Sequence, residues 1–113
     1  MSVEMTSPTA PGLAMLRASA DSACRMMKAL SNPDRLLLLC QLAQGEMRVG
    51  ELEEHVGVLQ PTLSQQLGVL REEGLVSTRR DGKSIYYCIA NPQVLALLEV
   101  LYAQFCQPQE VRA

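Results

Sequence analysis

The dipeptide Asp81-Gly82 separates two stretches rich in β-branched and aromatic residues. Asp-Gly flanked in this way is the strongest short-range signal for a β-hairpin, because glycine adopts a positive φ without steric cost. Residues 75–80 and 83–89 are therefore predicted to form a two-stranded ribbon. The other periodic segments carry apolar residues three or four positions apart, which is the spacing of helices. A hairpin among helices restricts the chain to a mainly α fold with one β-ribbon.

Five segments with helical periodicity surround this ribbon, four before it and one after it. The first begins at Leu13, and the second and last open at Asn32-Pro33 and Asn91-Pro92, where the amide side chain can cap and proline suits the first turn. A short third helix is predicted to end at Gly57 and a fourth to begin at Pro61. Two short helices across a glycine-containing turn indicate a helix-turn-helix. The predicted fold is a winged helix-turn-helix of four helices, a two-stranded wing and a fifth helix.

The length of 113 residues predicts one domain. We expect a flexible arm over residues 1–11, which are rich in Ser, Thr and Pro, the winged helix-turn-helix domain over 12–107 and a tail over 108–113. Hydrophobic residues make up 48% of the chain, which is ample for a packed core. The chain starts without an export signal and has no apolar run of about 20 residues, so we expect a cytoplasmic protein that does not enter the membrane.

The fourth predicted helix has two different sides. Leu63, Leu67 and Leu70 cluster on one side, and small uncharged polar residues lie on the other. Glutamine can bond bidentately to adenine, and serine or threonine can bond several base edges, so the polar side suits a DNA major groove. The candidate base-contacting residues are Gln60, Thr62, Ser64 and Gln65. The alternative is that these polar residues only keep a surface helix soluble.

The tip of the predicted hairpin is basic. Arg79, Arg80 and Lys83 stand against Asp81, so residues 79–83 carry a net charge of +2. Residues 46–54 hold four glutamates and one arginine, a net −3, so the overall charge of −2 arises away from the predicted DNA face. A basic hairpin beside a neutral polar helix favours phosphate contacts from Arg79, Arg80 and Lys83 and base contacts from the helix. The predicted partner is double-stranded DNA.

Two other function classes fit the sequence less well. A thiol oxidoreductase needs a low-pKa cysteine near a resolving cysteine or a histidine base. The chain has no Cys-x-x-Cys motif, and its one histidine, His55, follows a Glu-rich stretch, so we expect no enzyme and no catalytic residue. A helical module that binds a partner without DNA stays open. DNA binding that weakens steeply with salt would exclude it.

Residues 60–87, from Gln-Pro-Thr-Leu-Ser-Gln-Gln-Leu to Ile-Tyr-Tyr, resemble the ArsR/SmtB family of winged-helix repressors. The segments Ser-Asn-Pro-Asp-Arg-Leu at 31–36 and Val-Gly-Glu-Leu at 49–52 resemble two further signatures of that family. The resemblance implies a homodimer paired through the first and last helices. It also implies that two recognition helices read a near-palindromic operator and that an inducer releases them, with half-sites about one helical turn or a multiple of it apart.

Most members of this family sense metals through a Cys-x-Cys pair on the third helix or through His and Asp ligands on the last one. The third-helix segment here has no cysteine, and residues 92–106 contain no histidine and a single acid, Glu99. We therefore expect no metal site of these two kinds and no cofactor. The alternative inducer is a thiophilic ion such as Cu(I), which could bind two or three thiolates.

The chain has four cysteines, and two of them occupy informative positions. Cys40 on the second helix and Cys106 near the end of the last one resemble the pair of the BigR/SqrR/YgaV-type branch, which senses reactive sulfur species by linking them through a disulfide or polysulfide. This resemblance implies release from DNA when Cys40 and Cys106 are joined. The alternative for Cys40 is a structural thiol in a Leu-rich helix. Cys24 and Cys88 have no counterpart in that branch and are expected to be bystanders.

Overall fold

Five helices and three strands make up the computed structural model, which describes residues 12–106. The helices are α1 (Leu13–Leu30), α2 (Pro33–Leu42), α3 (Val49–Val56), α4 (Thr62–Glu72) and α5 (Pro92–Phe105). The strands are β1 (Met47–Arg48), β2 (Val76–Asp81) and β3 (Ser84–Ile89). The predicted winged helix-turn-helix is confirmed. The predicted arm (1–11) and tail (108–113) lie outside the described residues.

The helix starts follow the predicted capping residues. The side-chain oxygen of Asn32 accepts a hydrogen bond from the backbone N–H of Arg35 at 3.0 Å, and Pro33 is the first residue of α2. Asn91 repeats this at α5, where its oxygen accepts from the N–H of Gln93 at 2.7 Å. Each cap satisfies backbone donors that the first turn of a helix leaves unpaired.

A leucine-rich core lies between α2, α3, α4 and α5. The apolar sides predicted for α3 and α4 are confirmed, because Leu52, Leu63 and Leu70 are fully buried and Leu67 is nearly so. The other fully buried side chains are Leu38, Leu39, Leu75 and Val94. This core fixes the side of α4 that faces inward, and therefore the side that it presents to solvent.

The three strands pair antiparallel in the order β1-β3-β2. Asp81 pairs with Ser84, so the two turn residues are Gly82 and Lys83, one position later than the predicted Asp-Gly turn. Gly82 has φ of +65°, and glycine at the first turn position is typical of a type II′ hairpin. The short strand β1 was not predicted, because two residues carry no periodicity. It makes the wing part of a three-stranded sheet.

The helix α1 packs on the core only near its end. The apolar stripe predicted for it is mostly exposed, with Leu16 and Met27 both more than half exposed, and its one buried residue is Ala29. One side of α5 is also uncovered, and Phe105 is 79% exposed. Within residues 12–106, the structure contains no helix long and apolar enough to cross a membrane.

Candidate DNA interface and thiol site

The solvent side of α4 is the one that the sequence predicts. Ser64, Gln65 and Gly68 are exposed, and Thr62 is half-buried at the first position of the helix. The side chains of Thr62 and Gln65 make no hydrogen bond to any other residue between 12 and 106, so their polar groups are available to an external partner. α4 thus presents a neutral polar surface opposite its leucine side.

Two of the four candidate base-contacting residues are joined to each other. The side-chain oxygen of Gln60 accepts hydrogen bonds from the Ser64 hydroxyl at 2.7 Å and from the Ser64 backbone N–H at 3.1 Å. Gln60 therefore caps the first turn of α4. Its amide NH₂ group keeps its donors for a base edge, and Ser64 has already donated its hydroxyl proton within the protein.

Arg35 anchors α4 to the corner between α1 and α2. Its guanidinium donates to the side-chain oxygen of Gln66 at 3.0 Å, and also to the backbone carbonyls of Ala29 at 2.7 Å and Lys28 at 3.2 Å. Arg25 of α1 makes a second tie, a 2.8 Å ion pair with Glu73 just after α4. The sequence does not predict this positioning role, although Arg35 lies in one of the motifs that resemble the ArsR/SmtB family.

The three predicted wing cations differ in their surroundings. Arg79 donates from Nε to Glu46 at 2.8 Å and from Nη2 to the other Glu46 oxygen at 2.7 Å, and its guanidinium lies 4.6 Å from the centre of the Tyr86 ring. This hydrogen-bonded pair lowers the pKa of Glu46 and raises that of Arg79. The side chains of Arg80 and Lys83 are exposed and make no ion pair with any residue in the described range.

The acidic segment 46–54 lies against the wing, which corrects the prediction that the negative charge is away from the DNA face. β1 pairs with β3, and this pairing places Glu46 beside Arg79. A groove of about 540 Å³ between α3 and the hairpin is lined by Glu51 and Glu54 as well as by Arg48 and Lys83. The contact joins segments about thirty positions apart, so local charge counts could not reveal it.

The two predicted sensing thiols occupy one end of the molecule. Cys40 is half-buried on α2, and Cys106 is exposed at the end of α5, where its backbone N–H bonds the Tyr102 carbonyl at 2.8 Å. Burial raises the pKa of the Cys40 thiol, and the charge of Cys106 raises it further. A cavity of about 400 Å³ between α2 and α5 is lined by Cys40, Glu99 and Tyr102. Cys40 thus lines a cavity together with Tyr102, the residue whose carbonyl accepts the backbone N–H of Cys106.

Comparison with known proteins assigns the family. The model described as "Bacterial regulatory protein, arsR family" matches residues 32–78. Over 85 residues the chain is 56% identical to the biofilm growth-associated repressor of Agrobacterium fabrum, a match that covers 75% of this chain and 73% of that relative. This chain belongs to the arsR family. It is a DNA-binding transcriptional repressor of that family and not an enzyme.

Solved structures of arsR-family proteins have the same fold. The transcriptional repressor BigR from Xylella fastidiosa is 45% identical, with a TM-score of 0.78, and the match covers 86% of this chain and 99% of that one. A second match is the homodimeric winged helix-turn-helix DNA-binding domain from Mycobacterium bovis, described as a possible ArsR-family regulator. It is 36% identical with a TM-score of 0.70, and the match covers 84% of this chain and 88% of that one.

The remaining cysteines of this arsR-family chain lie elsewhere. Cys24 is exposed on α1, and Cys88 on β3 has its sulfur 3.4 Å from the Ser77 hydroxyl. All four cysteines are unpaired thiols. Among residues 12–106, no group of three or more His, Cys, Asp or Glu side chains is arranged to hold a metal ion. His55 is exposed in the last turn of α3, and its Nδ1 lies 2.8 Å from the Glu51 carbonyl oxygen.

Proposed function

We propose that this chain is a homodimeric dithiol repressor that binds operator DNA while Cys40 and Cys106 are reduced. A persulfide or polysulfide links the two thiols, and the linked dimer leaves the DNA. The observation that carries the proposal is that Cys40, 66 positions before Cys106, lines one cavity with Tyr102, whose carbonyl accepts the backbone N–H of Cys106. A bond between Cys40 and Cys106 ties α2 to α5, so it acts on the arrangement of helices.

The two thiols have different roles in the proposed reaction. Cys106 is exposed and meets the reagent first, whereas Cys40 is half-buried and burial raises its pKa, so it reacts second through its small thiolate fraction. Cys106 takes the outer sulfur of a persulfide, RSSH, and RSH leaves. The Cys40 thiolate then attacks the inner sulfur of the Cys106 persulfide and expels HS⁻, so the two thiols are oxidised and the transferred sulfur is reduced. A polysulfide reagent leaves extra sulfur atoms in the link, which can then span more than a disulfide can.

The proposed dimer pairs through α1 and α5. Supporting this, the exposed apolar side chains concentrate on these two helices, and Leu13 and Phe105 are 76% and 79% exposed. Contiguous exposed apolar surface of this kind marks interaction sites. The relative from Mycobacterium bovis is described as homodimeric, which agrees with this assignment. Because α5 would belong to both the dimer contact and the thiol site, a Cys40–Cys106 link would alter the spacing between the two recognition helices.

The proposed DNA contacts divide between α4 and the wing. Thr62 and Gln65 reach base edges, together with the joined pair Gln60 and Ser64. The exposed cations Arg80 and Lys83 neutralise phosphates on either side of the groove. The third predicted wing cation, Arg79, directs its hydrogen bonds to Glu46 instead.

The proposal is tested with the reduced protein and a DNA fragment that it selects from a random library. We expect sodium tetrasulfide to release the wild type while Cys40→Ser and Cys106→Ser bind DNA normally and are not released. Cys24→Ser and Cys88→Ser are the matched controls and keep the response. Intact-protein mass should find a Cys40–Cys106 link in every released sample. Normal release of both Cys40→Ser and Cys106→Ser excludes the dithiol mechanism, and release by Cu(I) alone favours a metal-responsive repressor.

A further inference from the structure

A short connector joins the thiol site to the wing. Residues 43–46 run from the end of α2 to β1, and the connector's Ala43 and Gln44 line the Cys40 cavity. Its last residue, Glu46, holds Arg79 of β2 through two hydrogen bonds shorter than 3 Å. One four-residue segment therefore contacts both the surroundings of Cys40 and the wing.

Backbone hydrogen bonds join the connector to α2. The backbone N–H of Ala43 bonds the Leu39 carbonyl at 2.8 Å, and the N–H of Gly45 bonds the Leu42 carbonyl at 3.1 Å. These bonds tie the connector to the last turn of α2, which also carries Cys40. Ala43 and Gly45 are thus bonded to the turn that carries Cys40, and Glu46 is the next residue along the chain.

The guanidinium of Arg79 contacts three other side chains. Nε and Nη2 meet Glu46, one face covers Tyr86, and Nη1 lies 3.9 Å from an Asp81 oxygen. Tyr86 pairs with Arg79 across β2–β3 and with Arg48 across β1–β3. Glu46, Arg79 and Tyr86, here called the wing clamp, thus join all three strands. Bidentate pairing and ring stacking together need arginine, because a lysine ammonium is a single point charge.

We propose that the wing clamp sets the orientation of the wing and transmits the state of the thiol site to it. Arg79 is then a positioning residue and not a phosphate contact, in contrast to Arg80 and Lys83. The second part of this inference rests on the proposed dithiol function. A Cys40–Cys106 link displaces the end of α2, Glu46 follows, and the hairpin moves away from the phosphate backbone.

The test compares Glu46→Gln, Arg79→Lys and their double variant with the wild type. Glu54→Gln is the matched control, because it removes the same charge beside the same hairpin without touching Arg79. For each protein, DNA affinity is titrated before and after sodium tetrasulfide, intact mass confirms the link, and the ratio of the two Kd values is the release factor. Circular dichroism verifies that each variant is folded. Glu46→Gln and Arg79→Lys change the same pair from its two sides, so each one tests the clamp independently.

We expect the release factor to fall by about 5-fold or more in Glu46→Gln and in Arg79→Lys, with no further fall in the double variant. Glu54→Gln keeps the wild-type factor. Arg80→Gln should lower the salt dependence of binding by about one phosphate contact.

Two results would overturn the inference while leaving the dithiol function intact. One is a wild-type release factor in Glu46→Gln when intact mass confirms the link. The other is a wild-type release factor in Arg79→Lys under the same conditions, since lysine can replace arginine as a phosphate contact but not as the bidentate, ring-stacked partner of Glu46. A wild type that stays on DNA although the link has formed instead contradicts the dithiol function itself.

Discussion

The recognition helix and the wing are held in place by different kinds of contact. Buried leucines and the partly buried hydrogen bonds of Arg35 hold α4, whereas at Arg79 the wing makes an exposed ion pair and a contact with the half-buried Tyr86 ring. Burial gives α4 one arrangement, because any other would expose apolar surface. Exposed contacts can be exchanged for contacts with water at little cost. The element proposed to read bases is thus fixed by burial, and the element proposed to bind phosphates is held at Arg79 by contacts that are easier to break.

The largest expected effect is loss of the core beneath α4. Leu67→Ala should lower the free energy of unfolding by about 2–5 kcal/mol, because it leaves a cavity under the helix. Urea denaturation measures the change, and Arg80→Ala on the wing should alter the same quantity by less than about 0.5 kcal/mol. Equal destabilisation by the two substitutions would contradict the contrast between α4 and the wing.

Loss of the Arg35 anchor should come next. Arg35→Ala leaves the Ala29 carbonyl and the Gln66 side-chain oxygen without their donor, which should cost about 1–3 kcal/mol in unfolding free energy. It should also weaken specific DNA binding more than nonspecific binding, because the recognition face loses its fixed orientation. Titrations with selected and scrambled DNA give both values. An unchanged ratio of the two would leave Arg35 with a role in stability alone.

Removing one wing cation should have a smaller and less selective effect. Arg80→Ala or Lys83→Ala is expected to weaken selected and scrambled DNA equally and to lower the slope of log K against log salt by about one. The measurement is a titration series at several salt concentrations. A change in base preference with an unchanged slope would assign Arg80 or Lys83 to base readout instead.

The smallest expected effect is that of acid, which should weaken the Glu46–Arg79 contact on the wing and leave the leucine contacts of α4 unchanged. Because Arg79 lowers the pKa of Glu46, their contact is at full strength above the ordinary carboxylate range and is lost as pH falls through the lowered value. The leucine contacts of α4 do not titrate. The Nε–H resonance of Arg79 should therefore shift on acidification and keep its position in Glu46→Gln. The same shift in Glu46→Gln would mean that another group titrates there.

Local signals predict most of this fold. The caps at Asn32 and Asn91, the end of α3 before Gly57 and the inward leucines of α4 depend on neighbours within a few positions, and each is confirmed. The contact between Glu46 and Arg79 depends on the pairing of β1 with β3. This pairing involves only two residues of β1, which is too short for a periodic pattern to predict. Because this pairing is non-local, the sequence placed the negative charge of residues 46–54 away from the wing, and that prediction is wrong.

Some parts of the candidate site can be predicted from the sequence and others cannot. The polar side of α4 follows from the helical period, and burial confirms which residues are exposed there. The prediction that Cys40 pairs with Cys106 rests on the family resemblance, because no spacing rule brings together positions on two separate helices. The apolar stripe on α1 follows from the helical period, whereas its exposure depends on which elements pack against α1. Arg35 was missed because its partners are two backbone carbonyls and one distant glutamine.

The oxygen shared by Gln60 and Ser64 has a consequence for how operator preference can change. Replacing Ser64 leaves the Gln60 oxygen with only the backbone N–H of residue 64 as its donor, and replacing Gln60 releases the Ser64 hydroxyl from its acceptor. Substitutions at these two positions should therefore show epistasis, with the effect of one depending on the residue at the other. A library that randomises Gln60 and Ser64 together should then reach binding specificities that neither single-site library contains.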